Sequence, residues 1–189
     1  CPNCQMTKKL KWIEARKEEV LNVKYYHVVF TIPSEIYNIA YQNQEKMYKI
    51  MFKASSETLQ ELAKDKKYLG GEVGFFSILH TWGQNLMYHP HVHIVVTGGG
   101  LTETNKWIEK EENFFIPVRV MSKVFRGKFM HYMRREKLEF FNKMKEFENP
   151  VIYNELIQNL YQKDWVVYCK EPFKNAESVI QYLGKYTHR

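Results

Sequence analysis

The chain has 189 residues, 44% of them apolar and 15% aromatic, which suits one globular domain with a substantial core and excludes a disordered polypeptide. No apolar run approaches the roughly 18 residues that span a bilayer, and the start lacks the apolar segment of a signal peptide. We therefore expect a cytoplasmic protein without a membrane partner. The 28 Lys and Arg outnumber the 21 Asp and Glu, and the net charge of +7 favours an anionic partner such as nucleic acid.

The cysteines, at positions 1, 4 and 169, are too few for a disulfide framework and indicate a reducing compartment. Cys1 and Cys4 have the spacing of half a zinc knuckle, but a structural Zn²⁺ needs four ligands and no second Cys/His pair follows at finger spacing. We interpret them as an incomplete zinc site; the alternative is an N-terminal tail with two idle thiols. We divide the chain into residues 1–23, the remnant of a zinc-binding module with its linker, and residues 24–189, the main domain.

The first predicted strand runs from Val23 to Ile32, is rich in β-branched and aromatic residues, and ends at Pro33. Apolar residues then recur at helical spacing as far as Gly70, which predicts one long helix with Ser55-Ser56 as the place for a break. Two further strands, at residues 72–82 and 91–99, are joined by a short polar turn and are expected to be antiparallel neighbours.

The second half of the chain predicts a mixture of strands and helices. We expect a short strand at residues 113–120, a basic amphipathic helix at 122–147, a strand at 164–170 and a final helix at 175–189. Strands separated by long helices, with hairpin-length gaps elsewhere, predict an α+β fold. Its helices should cover one face of a mainly antiparallel sheet of about five strands.

Three of the seven histidines, His89, His91 and His93, stand at the head of an apolar strand. Because side chains alternate along a strand, His91 and His93 share a face, and His89 joins them if Pro90 leaves the strand extended. Two imidazoles on one face are preorganised to share a metal ion; the alternative is a polar sheet face lined by hydrogen-bonded histidines. A metallo-β-lactamase site would need Asp and another His directly afterwards, whereas Ile94-Val95-Val96 follow here.

A third metal ligand can come from the preceding strand, where His80 and Gln84 are four residues apart and share a face if the strand is regular. Gln84 is nearer the turn that leads into His91. A hard oxygen beside two imidazoles suits Mg²⁺ or Mn²⁺, whereas three imidazoles suit zinc. For a site that binds Mg²⁺ or Mn²⁺, we therefore favour Gln84 over His80.

The final predicted helix carries Tyr182 and Tyr186, whose spacing of four places both phenols on one side. Gly184 between them lowers helix stability by about 1 kcal/mol relative to alanine. A glycine at this position suggests that another group, such as a nucleic-acid backbone, must come close. The alternative is that Tyr182, Tyr186, Val179 and Leu183 simply form the apolar face of a terminal helix. Beside a metal that polarises phosphate, however, a phenol is a useful nucleophile.

The predicted basic helix places Lys123, Arg126, Arg134 and Lys137 on one face and aromatic residues towards another. Such a face can bind phosphates and stack unpaired bases; the alternative is a solvated charged face over a core-facing aromatic stripe. The Gly98-Gly99-Gly100 turn is interpreted as a tight connection, because no helix starts directly after it as a phosphate cradle would require.

Together these motifs resemble the two-tyrosine HUH-type transposases of rolling-circle insertion sequences. The resemblance lies in "YYHVVFTIPSE", "LHTWGQNLMYHPHVHIVVTGGGL", "FFIPVRVMSKVFRGKF", "WVVYCKEPF" and "YLGKYTHR", in that order over nearly the whole chain. It implies an HUH-endonuclease-like fold in which His91 and His93 bind Mg²⁺ or Mn²⁺ and Tyr182 and Tyr186 are the nucleophiles. A third ligand from the preceding strand fits Gln84 or His80 without choosing between them.

The reaction implied by the resemblance is cleavage and transfer of single-stranded DNA at transposon ends and target through a 5′-phosphotyrosine intermediate. The expected DNA contacts are Lys123, Arg126, Arg134 and Lys185. The opening "CPNC" is similar to the end of the zinc-binding module that precedes the nuclease in this family. Two alternatives stay open: a plasmid replication initiator or relaxase with the same chemistry, and a non-catalytic nucleic-acid-binding protein whose histidines are structural.

Overall fold

The computed structural model of the chain describes residues 7, 10–11, 13–15, 20–83, 87–110, 116–173 and 176–183. Its strands are β1 (Tyr25–Thr31), β2 (Phe75–Trp82), β3 (Tyr88–Thr97), β4 (Gly99–Leu101), β5 (Trp107–Glu109) and β6 (Val167–Phe173). Its α-helices of six residues or more are α1 (Tyr37–Gln42), α2 (Gln44–Lys64), α3 (Val118–Met133), α4 (Pro150–Gln162) and α5 (Ala176–Leu183). Short 3₁₀ helices occupy Ser34–Ile36 and Asn142–Glu148.

Within the described residues, the main sheet has four strands in the order β2-β3-β1-β6, and every neighbouring pair is antiparallel. The predicted α+β class and antiparallel sheet are thus confirmed, including the pairing of β2 with β3. The apolar run Ile94-Val95-Val96 lies in the inner strand β3, which is covered on both faces, so that all three residues are buried. Strands β4 and β5 form a separate two-stranded sheet.

One face of the main sheet carries the larger core. Val28 and Phe30 of β1 and Ile94 of β3 are fully buried there against α2 and α3, and the Phe30 ring lies 4.9 Å from the Phe125 ring. The opposite face carries the alternate residues of the same strands. There α5 buries Val179 against a small cluster that includes Tyr25 and Val95. The expectation that helices cover only one face is therefore wrong, because α5 packs on the other.

The long helix predicted after Pro33 breaks at Asn43 and not at Ser55. Asn43 leaves the helical conformation, with φ −126° and ψ 41°, and its buried side-chain amide donates to the carbonyls of Ile39 and Glu139 at 2.9 and 2.8 Å. Its Oδ1 accepts from the Glu139 N–H at 2.8 Å. Ser55 is buried within α2, where its hydroxyl donates to the Met51 carbonyl at 2.7 Å.

The strand predicted at residues 113–120 is wrong at its described end, because residues 118–120 form the first turn of α3. Pro117 precedes the helix as its N-cap, and the residues that follow bury Met121, Phe125 and Phe129 at helical spacing. The main sheet accordingly has four strands among the described residues, in place of about five. Residues 113–115 lie outside that part of the chain.

The basic helix predicted to reach Phe147 ends at Met133. The chain beyond it is held extended by two side-chain amides, that of Asn43 on Glu139 and that of Gln42 on Phe141. The Gln42 amide accepts from the Phe141 N–H at 2.9 Å and donates to its carbonyl at 3.1 Å. These bonds replace the backbone pairing that a continued helix would have provided.

The Gly98-Gly99-Gly100 turn is a tight connection, as predicted. A Cβ on Gly99 would lie 2.5 Å from the Ile108 carbonyl oxygen, and one on Gly100 would lie 2.7 Å from the Glu72 carbonyl oxygen. The glycines are needed because β4 passes so close to its backbone neighbours.

Candidate metal centre and nucleophile

His80, His91 and His93 converge on the face of the sheet opposite the larger core. One ligand nitrogen from each lies within 4.8 Å of the others. The register explains the convergence: His80 of β2 is directly opposite His91 of β3, and His93 is two residues further along β3 on the same face. Ring centroids are 4.7 Å apart for His91 and His93 and 5.0 Å apart for His80 and His91.

The rings of His91 and His93 are each oriented by a hydrogen bond through Nδ1. His91 Nδ1–H donates to the His89 carbonyl oxygen at 2.6 Å, which leaves its Nε2 as the unprotonated nitrogen, 3.2 Å from His80 Nδ1. His93 Nδ1 lies 2.9 Å from Nε2 of His27 on β1. Partners of this kind fix the ring orientation of metal-binding histidines.

Burial keeps these imidazoles neutral. His91 is 8% and His93 6% exposed, and this burial lowers the pKa of His91 to about 4 and that of His93 to about 3. Burial, followed by the nearby charges of Lys170 and His91, lowers the pKa of His27 to about 4. A metal ion binding near neutral pH would therefore displace no proton from His91 or His93.

Of the other predicted ligands, His89 lies on the same strand, but its Nδ1 is hydrogen-bonded to the Tyr37 hydroxyl. Gln84 lies outside the described residues, so the preference for Gln84 over His80 stays a prediction. What the structure does bring beside His91 and His93 is the half-buried imidazole of His80.

The Tyr182 hydroxyl reaches the same region from α5. It lies 3.3 Å from Nε2 and 3.4 Å from Nδ1 of His27, and the two rings meet edge to face with centroids 4.8 Å apart. The Tyr182 ring also contacts Phe173 at 5.4 Å. The ring thus packs as the apolar-face interpretation expects, while the hydroxyl lies beside a histidine that contacts His93. Tyr186, Gly184 and Lys185 lie outside the described residues.

Sequence reasoning missed His27, the residue that joins the tyrosine to the histidine cluster. It is 4% exposed, and its ring lies beside that of His93, with centroids 5.1 Å apart and an angle of 7° between the rings. The available signal was a single imidazole in the middle of "YYHVVFTI", an otherwise apolar and aromatic strand. Its significance depends on β1 pairing with β3, which the sequence did not specify.

Lys123, Arg126 and Arg134, predicted to bind DNA, are not brought to the histidines, and Lys185 lies outside the described residues. Lys123 is exposed on α3, Arg134 is exposed directly after it, and Arg126 Nη1 donates to the Lys163 carbonyl oxygen at 2.5 Å. Helix α3 packs on the face of the sheet opposite the histidine cluster. On the histidine face, Lys170 of β6 is an exposed cation, paired in register with His27.

The cysteines contribute nothing to this centre within the described residues. Cys169 is a free thiol whose burial raises its pKa to about 11, so it is protonated and unreactive near neutral pH. Cys1 and Cys4 lie outside the described part of the chain, and the incomplete zinc site stays a prediction.

Two known protein families match the chain. The model of a family described as "Putative transposase" matches residues 74–189, and that of a "Transposase zinc-binding domain" matches residues 1–32. The first match covers more than half of the chain, including the histidine cluster and both tyrosines. The chain belongs to this transposase family, which confirms at family level the resemblance drawn from its motifs.

Two curated relatives carry transposase names. "Putative transposase y4qJ" of Sinorhizobium fredii is 43% identical over 100% of this chain and 49% of its own length. The "Transposase for insertion sequence element IS801" of Pseudomonas savastanoi pv. phaseolicola is 25% identical over 98% of this chain and 44% of its own length. The chain thus spans about half the length of the curated relatives it matches.

Among solved structures, the chain is similar to the conjugative relaxase TrwC. A metal-free complex of TrwC with oriT DNA gives a TM-score of 0.48 at 11% identity, covering 85% of this chain and 70% of that one. A metal-bound complex of TrwC with oriT DNA gives a TM-score of 0.46 at 12% identity, covering 85% of this chain and 69% of that one. In the described part of the chain, no helix has the length and apolar character needed to cross a membrane.

Proposed function

We propose that this chain is the part of a transposase that cleaves and transfers single-stranded DNA with a divalent metal and tyrosine nucleophiles. One observation carries the proposal: a tyrosine hydroxyl and a cluster of three histidines meet on one sheet face, linked by His27. Family membership supports transposition as the process, and the net charge of +7 suits a nucleic-acid substrate.

The metal would be held by His80, His91 and His93. Their fit rests on convergent ligand nitrogens and on the carbonyl and imidazole partners that orient His91 and His93. Three imidazoles suit zinc and disfavour Mg²⁺, which prefers oxygen ligands; of the two metals that the resemblance implies, Mn²⁺ therefore fits this donor set better. The bound ion would supply a Lewis acid that polarises a phosphoryl oxygen.

Tyr182 is the proposed nucleophile at the described site. Its oxygen attacks the phosphorus of a DNA phosphodiester, the bond from phosphorus to the 3′ oxygen breaks, and the phenolic proton ends on the released 3′-hydroxyl. The product is a 5′-phosphotyrosine, which retains the energy of the phosphodiester, so that rejoining the strand needs no ATP. Tyr186 would serve a second cleavage while the first covalent bond persists.

We propose residues 24–189 as the nuclease domain and residues 1–23 as belonging to a zinc-binding module and its linker. The support for this boundary is β1, which starts at Tyr25 and pairs with both β3 and β6. The match to the zinc-binding domain extends to residue 32 and therefore overlaps β1.

The test is to incubate the protein with Mn²⁺ and labelled single-stranded element ends, then to denature it and look for DNA that stays attached. We expect a metal-dependent adduct that chelation prevents, that duplex DNA does not form, and that His91→Ala abolishes. His131→Ala is the matched control, because His131 is exposed on α3. Absence of any adduct would favour a non-catalytic DNA-binding protein, and cleavage confined to a replication or transfer origin would favour an initiator or relaxase.

A further inference from the structure

We propose that His27 is a positioning residue, which orients His93 for metal binding and holds the Tyr182 hydroxyl beside the metal centre. This inference rests on the proposed function, since it assigns a role within that site. It concerns a residue that is neither a ligand in the histidine cluster nor a nucleophile.

His27 lies at the centre of the sheet, where its ring cannot move far. It stands in β1, between β3 and β6, is 4% exposed, and its ring is nearly parallel to the His93 ring. Its Nε2 lies 2.9 Å from His93 Nδ1. Both strands are fixed by backbone pairing, so this contact sets the rotation of the His93 ring.

Metal binding determines the direction of this hydrogen bond. A neutral imidazole carries one N–H, and the nitrogen that binds a metal must be unprotonated. With His93 Nδ1 engaged by His27, the metal-binding role falls to His93 Nε2, and the proton must therefore be on Nδ1. His93 Nδ1–H then donates to Nε2 of His27.

The other side of the His27 ring contacts Tyr182. Because His27 Nε2 accepts from His93, the proton of neutral His27 is on Nδ1, which lies 3.4 Å from the Tyr182 oxygen. That oxygen lies almost as close to Nε2, at 3.3 Å, so it is off the axis of the Nδ1–H bond, and the contact is the edge-to-face packing of the two rings, which limits how far the phenol can turn. One imidazole thus links a metal ligand to the nucleophile.

A buried histidine that only fills space would contribute ring packing and no directed bond. Two substitutions separate these roles. His27→Phe keeps an aromatic ring against His93 and Tyr182 but cannot accept from His93 Nδ1–H. His27→Gln loses the ring but can place an amide oxygen near the position of Nε2.

The experiment measures Mn²⁺ affinity by calorimetry and, separately, the Mn²⁺ concentration that gives half-maximal adduct. Loss of such a partner typically weakens metal binding about 10- to 100-fold, which we expect for His27→Phe in both measurements. His27→Gln should recover part of the affinity, and the exposed-site control His131→Gln should match the wild type. Circular dichroism and a cooperative melt establish folding; if His27→Phe does not fold, His27→Gln must still bind Mn²⁺ more tightly than His27→Ala.

Wild-type Mn²⁺ affinity in folded His27→Phe would overturn the inference, as would His27→Gln binding no better than His27→Phe or His27→Ala. These outcomes are distinct from failure of the proposed function. A wild-type protein that binds Mn²⁺ through His91 and His93 but never forms an adduct would refute the nuclease and leave the effect of His27 on metal affinity measurable.

Discussion

Replacing Tyr182 with phenylalanine separates the chemistry of its hydroxyl from the packing of its ring. Phenylalanine keeps the contacts with His27 and Phe173, at centroid distances of 4.8 and 5.4 Å. The lost hydroxyl lies 3.3 Å from the nearer His27 nitrogen, a long hydrogen bond at a partly buried side chain. Removing the hydroxyl should lower the free energy of unfolding by at most about 1 kcal/mol, which corresponds to roughly 2–4 °C in Tm for a chain of this length.

Covalent chemistry at position 182, by contrast, should be lost completely. Trypsin cuts after Lys174 and Lys185, so a peptide of residues 175–185 reports DNA on Tyr182 and a peptide of residues 186–189 reports DNA on Tyr186. Mass spectrometry of trapped adducts should find the first species only in proteins that retain Tyr182. Each single variant can keep some adduct through the other phenol, and the double variant should form none.

Tyr25→Phe is the matched control for this experiment. Tyr25 is buried on the same sheet face, and its hydroxyl accepts from the Leu21 N–H at 3.0 Å, so the variant loses a comparable bond while adduct formation should persist. A large stability loss in Tyr182→Phe would show that the hydroxyl is structural. A covalently linked double variant would refute the use of these two tyrosines.

Three further predictions concern the metal, the fold and the basic helix. Mn²⁺ at 100 times its Kd should stabilise the protein by about 2.7 kcal/mol, or roughly 5–11 °C in Tm, and a similar shift in His93→Ala would contradict the metal assignment. In urea unfolding, Asn43→Ala should lower the free energy of unfolding by about 2–4 kcal/mol, because three side-chain hydrogen bonds are lost. Gln42 is less buried, and Gln42→Ala should lower it by under about 1 kcal/mol. Equal losses in the two variants would contradict the role assigned to Asn43. Neutralising Lys123, Arg126 and Arg134 should reduce the slope of log K against log salt by about 0.7 per lost phosphate contact, without changing adduct formation at saturating DNA. An unchanged salt slope would mean that this helix face is only solvated surface.

The strands and the histidine pair were predictable because their signals are local. β-Branched and aromatic runs marked β1, β2, β3 and β6, and the two-residue alternation of a strand placed His91 and His93 on one face. The position of His80 beside His91 needed only one further step, since the two residues stand directly opposite each other in the β2–β3 pairing.

The parts that the sequence did not predict depend on contacts between distant residues. The break at Asn43 and the extended chain after α3 are held by side-chain amides acting across 96 and 99 residues. Local helical spacing carries no information about such bonds. His27 is likewise 66 residues from His93 and 155 from Tyr182, so its position between them follows only from the strand order and the docking of α5.

The histidines and Tyr182 are held in place by different parts of the fold. The histidines stand on β1, β2 and β3, whose backbones are paired with one another along the sheet. Tyr182 stands on α5, whose described residues, Ala176–Leu183, pack on the sheet through the small cluster around Val179. We therefore expect metal affinity to depend on the sheet and on the ring contacts among the histidines. The approach of the proposed nucleophile should depend on how α5 packs against the sheet.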